Sequence, residues 1–259
     1  MSAPSIGLQL YTLRSLQLPL DDLLAGVAAI GYTAVETHGM QGVGPEELRA
    51  ALGRHGLEFV SAHVALRSLR DDPRSVMADY RAAGAGMIVV PFLEVVDRPA
   101  ARAGWEDLAR ELDAIGAVAT SAGLPFAYHH HAFELEPIEG GTPLEVLLEG
   151  TGAEHVGVEL DVGWLQVAGH DPALWIDRVA ERCVRVHAKD VARVPAAEHP
   201  WADVGDGVVA WPDVLAASRR AGVAWWLVEH DAPDDPWRSV EQSYEALRRL
   251  LQADRERST

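Results

Sequence analysis

Short apolar runs alternate with amphipathic stretches along the whole chain, and the two spacings predict strands and helices in turn. Residues 6–13, IGLQLYTL, read as a strand. Residues 19–30 put acidic side chains in a first turn, apolar ones behind them at helical spacing, and Gly31 as a stop. TAVETHG (33–39) is a second strand, and 45–56 is a helix with Pro45 at its start and Gly56 at its end. LEFVSAHVA (57–65) is the third strand, and a helix around 73–83 leads to the fourth, GMIVVPF (86–92). A helix over 105–122 ends at Gly123, and the fifth strand opens the stretch LPFAYHHHAFELEPIE. A short helix over 142–148 and the sixth strand, HVGVELDVGW (155–164), follow. The helix over 171–183 has Asp171 as its cap before Pro172. CVRVHAKDV (183–191) is the seventh strand, 212–221 a helix, VAWWLVEHD (223–231) the eighth strand, and 239–252 the closing helix.

Eight strand-then-helix units in sequence predict an α/β fold, a (β/α)8 TIM barrel filling residues 1–259 as a single domain. The rival, a doubly wound open sheet, wants a glycine-rich turn after its first strand, and LQLYTLRS has none. The 259 residues are 48% hydrophobic and 24% charged, enough for one large core, with no linker or change of composition to divide them. The net charge of −17 opposes general affinity for nucleic acid, which rests on clustered Lys and Arg. A single cysteine, Cys183, excludes an internal disulfide and reads as a small buried hydrophobe. The start, MSAPSIGLQL, lacks a basic segment followed by a long apolar run, and nothing reaches the length of a membrane span. The expectation is a cytoplasmic protein with no membrane partner.

Chemistry in a barrel sits where the C-terminal strand ends meet, so the last polar residues of each run are the candidates. Gln9 and Tyr11 share a face of the first strand, and Glu36 and His38 share one of the second. The third strand gives His63, and the fifth gives His129, His130 and His131 with Glu134 beyond them. Alternation turns His129 and His131 one way and His130 the other. The sixth strand gives Glu159 and Asp161, the seventh Arg185, His187 and Lys189, the eighth Glu229 and Asp231. Carboxylates within apolar runs are disfavoured unless paired or bound to a cation. Ion pairs such as Glu159 with Arg185 or Lys189 explain any one of them, whereas four strands converging on one mouth favour a divalent ion. Carboxylates with imidazole suit Mn2+, Mg2+, Co2+ or Zn2+, and the near absence of cysteine excludes thiolate-selective metals.

The segments YHHHAFEL, VELDVGWLQVAGHDP, VHAKD, GDGVVAW and VEHD, in order along essentially the whole chain, resemble the xylose isomerase-like superfamily of TIM barrels. That superfamily, often called sugar phosphate isomerase/epimerase, includes inosose and 3-dehydroshikimate dehydratases, ketose 3-epimerases and endonuclease IV. The motifs specify the superfamily and not one reaction. The resemblance implies one divalent ion, manganese first among the candidates, held by Glu, Asp, His and Glu from strands five to eight. Asp161, His187 and Glu229 match the last three positions. The fifth-strand ligand departs, because the glutamate of many relatives aligns with His129. The chain instead resembles a branch reading Tyr-His-Asn-His with Phe-Glu-Phe a little later. Glu134 is therefore expected as the fourth ligand, and His129 as the alternative.

An ion of this kind polarises a carbonyl and acidifies the neighbouring C–H, leaving a base with a pKa near neutrality to take the proton. His129 or His131 is expected in that role, with Glu159 or Glu36 as a second acid/base. Lys189 either binds a substrate oxygen or forms a structural pair with Glu159 or Asp161. Substrate contacts are expected from Tyr11, Glu36, His38, His63, Trp164 and Gln166, with Trp164 offering an aromatic face to a sugar's C–H side. Trp225 and Trp226 read as packing. The segment 198–211, EHPWADVGDGVVAW, lacks regular periodicity, and its Gly205-Asp206-Gly207 turn resembles one that shapes the pocket rim in the family. The expected activity is a sugar or keto-sugar isomerase or epimerase. Alternatives are a lyase or dehydratase acting on inosose or a 3-keto-glycoside and, more remotely, a non-catalytic sugar-binding barrel. A DNA endonuclease of this fold needs a basic groove and further ligands, which the charge opposes. The expected partner is a small sugar or cyclitol with no required phosphate, since no glycine-rich cradle or Arg/Lys cluster is present, and related barrels often pair as homodimers.

Overall fold

Branched apolar residues crowd the short runs, and each run becomes one stave of a closed parallel barrel. The structure, a computed structural model, describes residues 5–194 and 199–258. Residues 1–4 of the N-terminal stretch and Glu198 of the 198–211 segment lie outside the described residues. The barrel strands are β1 (Ser5–Gln9), β2 (Ala34–His38), β3 (Glu58–His63), β4 (Ile88–Val90), β5 (Phe126–His129), β6 (Gly157–Asp161), β7 (Cys183–Ala188) and β10 (Trp225–Val228). Each pairs in parallel with its neighbours, and β1 joins both β2 and β10, which closes the ring. A two-stranded antiparallel ribbon, β8 (Asp190–Val191) with β9 (Trp201–Ala202), stands outside it. An open doubly wound sheet is thereby excluded.

Helices α1 (Leu20–Ile30), α2 (Pro45–Arg54), α4 (Pro73–Ala83), α5 (Arg102–Ser121), α6 (Pro143–Glu149), α8 (Pro172–Arg178), α9 (Trp211–Ala221) and α10 (Pro236–Ser258) surround the strands. The main apolar core lies between the two layers. Leu8, Val35, Ile88, Val158, Trp226 and Val228 on the outer strand faces cluster with Leu24, Val27, Leu112, Ile115 and Leu215 of the helices. Burying each such side chain contributes about 1.5–3 kcal/mol, which holds the strand ends in fixed relative positions. Inside the ring, Ala34, Val60 and Leu227 form a smaller apolar plug. Gly7 makes room for it, since an added Cβ would stand 2.7 Å from Leu227 Cδ2. No described helix is long and apolar enough to cross a membrane.

The strands stop earlier than the apolar runs suggest. The first run, expected as a strand over 6–13, leaves the sheet at Gln9 and continues as a 3-10 helix, Leu10–Leu16. Gln9 Oε1 accepts the Tyr11 N–H at 3.0 Å and so starts the turn. The sixth run ends at Asp161, whose Oδ1 accepts the Trp164 N–H at 2.9 Å and caps an unexpected short helix, α7 (Val162–Val167). A further helix, α3 (Leu66–Asp71), follows β3. Asp171 caps α8 as expected, accepting the N–H groups of Ala173 and Leu174.

Candidate metal centre

Strand register brings the polar strand ends to one level. Asp161 lies opposite His187 across β6 and β7, and His129 lies opposite Glu159 across β5 and β6. On the other side of the ring, His38 pairs with His63. Two overlapping groups result, in each of which one nitrogen or oxygen per residue lies within 4.8 Å of all the others. One is His129, Asp161, His187 and Glu229; the other is His63, His129, Glu159 and His187. All six side chains are buried.

The two ring nitrogens of His187 divide these groups by function. Nε2 lies 2.8 Å from Glu36 Oε1 and 2.9 Å from Glu159 Oε1, while Nδ1 lies 3.0 Å from Glu229 Oε2 and 4.0 Å from Asp161 Oδ2. A donor N–H at Nε2 fixes the ring, the arrangement that orients histidines at metal sites, and Nδ1 would ligate an ion on giving up the proton it shares with Glu229. His129 spans the same two levels, with Nδ1 3.2 Å from Glu159 Oε1 but without hydrogen-bond geometry, and Nε2 3.9 Å from Asp161 Oδ2. Buried Asp161 Oδ2 accepts no hydrogen bond. Two imidazoles and two carboxylates around such an oxygen fit a divalent ion. In the deeper group His63 is hydrogen-bonded to Glu159, and His187 to the neighbouring Glu36, so these carboxylates support the upper group from below.

Glu134, the expected fourth ligand, is in neither group. It lies on a 3-10 turn (Phe133–Leu135), where Oε1 accepts the Tyr128 hydroxyl at 2.6 Å and Oε2 the His131 N–H at 2.8 Å. Both oxygens are spent on shaping the loop, and His129 stands with Asp161, His187 and Glu229 instead. His130 turns away from the cavity, and its Nε2 accepts the Asp161 N–H at 3.2 Å, tying the ends of β5 and β6 together.

A cavity of about 920 Å3 opens over the quartet, and His129 and Glu229 line its floor. Tyr11, His38, His63, His131 and Trp164, all candidates from the sequence, also line it. Glu36, Glu159, Lys189 and Gln166 do not. Glu36 and Glu159 lie below the floor, where Gln9 Nε2 donates to Glu36 Oε1 at 2.6 Å. Lys189 is buried behind Asp161, Glu229 and Asp231, and Gln166 sits on α7 away from the cavity. The sequence reading missed Phe92, Phe133 and Arg98 on the wall, where the Arg98 guanidinium lies 3.6 Å above the Phe133 ring. No strand period marks these loop positions. It also missed Asp190, a buried acid inside the seventh run that was legible by the same rule as its neighbours.

The charges are ordered by depth. Burial alone would lower the pKa of His63, but the Glu36 charge and hydrogen bonds to Glu159 and Glu36 push it up to about 9. His187 is raised in the same way, burial being outweighed by Glu159, Glu229 and Glu36. Burial would raise Glu36, but His63 and His187 hold it well below the usual carboxylate range. His129 and His131 move oppositely: burial, then His187 for the first and Lys189 for the second, takes both below the near-neutral pKa expected of the base and keeps both imidazoles neutral. Burial pushes the Glu134 carboxyl up to about 7, against the pull of its Tyr128 and His131 hydrogen bonds.

A group whose pKa rises on folding stabilises the fold below its unfolded value, and that contribution is lost as pH climbs through the folded value. In chelator, the protein should therefore lose roughly 3 kcal/mol of stability from His63 between pH 6.5 and about 9. Thermal unfolding of His63→Gln should show a flatter slope across that window. An unchanged slope would remove His63 from the charge network.

Comparison with known proteins gives the same outline. A profile of the xylose isomerase-like TIM barrel family matches residues 24–252. The chain is 28% identical over 253 residues to the rhizopine catabolism protein MocC of Rhizobium meliloti, a match covering 84% of this chain and 76% of that one. It is 27% identical over 146 residues to inosose dehydratase 2 of Bacillus cereus, covering 51% of this chain and 48%, about half, of that protein. Among solved structures, a sugar phosphate isomerase/epimerase from Parabacteroides distasonis superposes with a TM-score of 0.83 at 20% identity, covering 95% and 94% of the two chains. The zinc-bound IOLI protein superposes at 0.76 and 13% identity, covering 96% and 98%. The structural likenesses speak to the fold.

Proposed function

Because the chain belongs to the xylose isomerase-like TIM barrel family, we propose that it is a divalent-metal-dependent enzyme that removes a proton next to a carbonyl of an unphosphorylated sugar or cyclitol, leading to isomerisation or epimerisation. The observation that carries this reading is the buried quartet His129, Asp161, His187 and Glu229, opening through His129 and Glu229 onto the cavity. An ion held there supplies Lewis acidity to a substrate carbonyl. Two imidazoles with two carboxylates suit Zn2+, Co2+ or Mn2+ better than Mg2+.

The chain's own residues divide the proton work. His131 lines the cavity as a neutral imidazole and is assigned as the base. His63 lines it as well, carries its proton up to about pH 9, and is assigned as the donor. Two groups with pKa values driven apart are the signature of a matched base and acid. Glu36 and Glu159 hold His63 and His187 from beneath and act as positioning residues. Tyr11, His38 and Trp164 contact the substrate, and Trp164 lies against His131 with ring centres 4.9 Å apart.

The inosose dehydratase relative favours a second reading with the same first step. There the enolate expels a hydroxyl from the next carbon, and His63 supplies the proton that makes it water.

Metal-loaded protein incubated in D2O with unphosphorylated keto-sugars and inososes tests both. A deuterated isomer or epimer is expected from the first course, and a product short of one water from the second. His131→Gln should slow exchange by about 100-fold or more. Bound metal with no exchange across the panel would leave only a sugar-binding barrel.

A further inference from the structure

Lys189 follows β7 directly, and its side chain is 1% exposed beneath two indole rings. Its Nζ lies 5.5 Å from the centre of the Trp164 ring and 4.8 Å from that of Trp201. Three carboxylates meet this ammonium: Glu229 Oε2 at 2.7 Å, Asp161 Oδ2 at 3.1 Å and Asp231 Oδ1 at 2.9 Å. The first two oxygens also face His187 Nδ1 and belong to the quartet. The third belongs to a side chain that lines the cavity, which Lys189 itself does not. The Asp231 contact has hydrogen-bond geometry, whereas Asp161 Oδ2 is held by charge alone.

An ion coordinated by those two oxygens would stand beside a buried cation with no water to screen the repulsion. Ammonium and ion draw on the same negative charge. We propose that Lys189 is a displaceable counter-cation: ion binding breaks its contacts with Asp161 and Glu229 and shifts the ammonium fully onto Asp231 at the cavity wall, where it meets a substrate oxygen. Metal loading and assembly of the substrate end of the site are thereby one event. This inference rests on reading the quartet as an ion site.

Titration calorimetry with Mn2+ tests it on the wild type and on Lys189→Met, which keeps the stem and removes the charge. The variant should bind at least about ten-fold more tightly. A crystal of the wild type soaked in Mn2+ gives an independent reading, with Nζ expected beyond about 4 Å from Asp161 Oδ2 and still hydrogen-bonded to Asp231. Equal or weaker binding by the variant, or an ammonium still against Asp161 beside the ion, overturns the displacement while leaving the metal site standing. Binding to neither protein overturns the metal site and this inference with it.

Discussion

Replacing His129 by alanine is expected to weaken Mn2+ or Zn2+ binding by about 100-fold or more, while Glu134→Gln leaves it within about three-fold. The two substitutions separate the quartet proposed as the ligand set from the one the sequence favours. His129 Nε2 faces Asp161 Oδ2 across 3.9 Å, and the other nitrogen lies against Glu159. Losing the ring deletes one of four donors and leaves Glu159 without that neighbour. Glu134 is occupied differently, with one oxygen on the Tyr128 hydroxyl and the other on the His131 N–H. Glutamine keeps its size and can still accept one of those bonds, and burial already favours the uncharged form, since the carboxyl is pushed up to about 7. The expected cost is a small disturbance of the loop under His131. Calorimetric titration of both variants decides between the sets. Tight binding by the His129 variant together with lost binding in the Glu134 variant would restore Glu134 as the ligand.

The contrast shows what strand alternation conveys and what it omits. Parity names the face of a residue, and it turned Asp161, His187 and Glu229 toward one another because Asp161 ends β6, His187 is the penultimate residue of β7 and Glu229 lies one residue beyond β10. Parity does not give height. Glu159 shares a face with Asp161 but sits two residues earlier, roughly 6.6 Å lower along the strand, so it supports the floor instead of lining it. The same holds for Glu36 below His38. Parity also fails once a strand has ended. Tyr11 reaches the cavity from a 3-10 helix, and Trp164 from a helix that Asp161 itself caps. Both places depend on one side-chain-to-backbone hydrogen bond that no periodicity reports. Phe92, Phe133 and Arg98 meet only in the folded loops and left no pattern in the chain.

Asp190→Asn is expected to cost on the order of 4 kcal/mol of stability, a larger loss than most substitutions produce. The side chain is 1% exposed and accepts five hydrogen bonds. Oδ1 takes the Val191 and Val209 N–H groups at 2.8 and 3.0 Å. Oδ2 takes those of Gly205 and Gly207 at 2.9 and 3.3 Å and the Trp211 indole N–H at 2.8 Å. A carboxylate suits five donors; an amide does not, because either orientation turns its NH2 group against at least two of them. Gly207 closes this cradle, since a Cβ there would overlap Asp190 Oδ1. The bonds gather the return from the β8–β9 ribbon to α9 around one point and so fix Trp201 against Trp164, 4.6 Å between ring centres. Unfolding of the variant should shift down by about 10 °C, and amide exchange should quicken first across 201–211. A variant within about 1 kcal/mol of the wild type would show that the ribbon holds its shape without this carboxylate, and that the indole wall over Lys189 is set by packing alone.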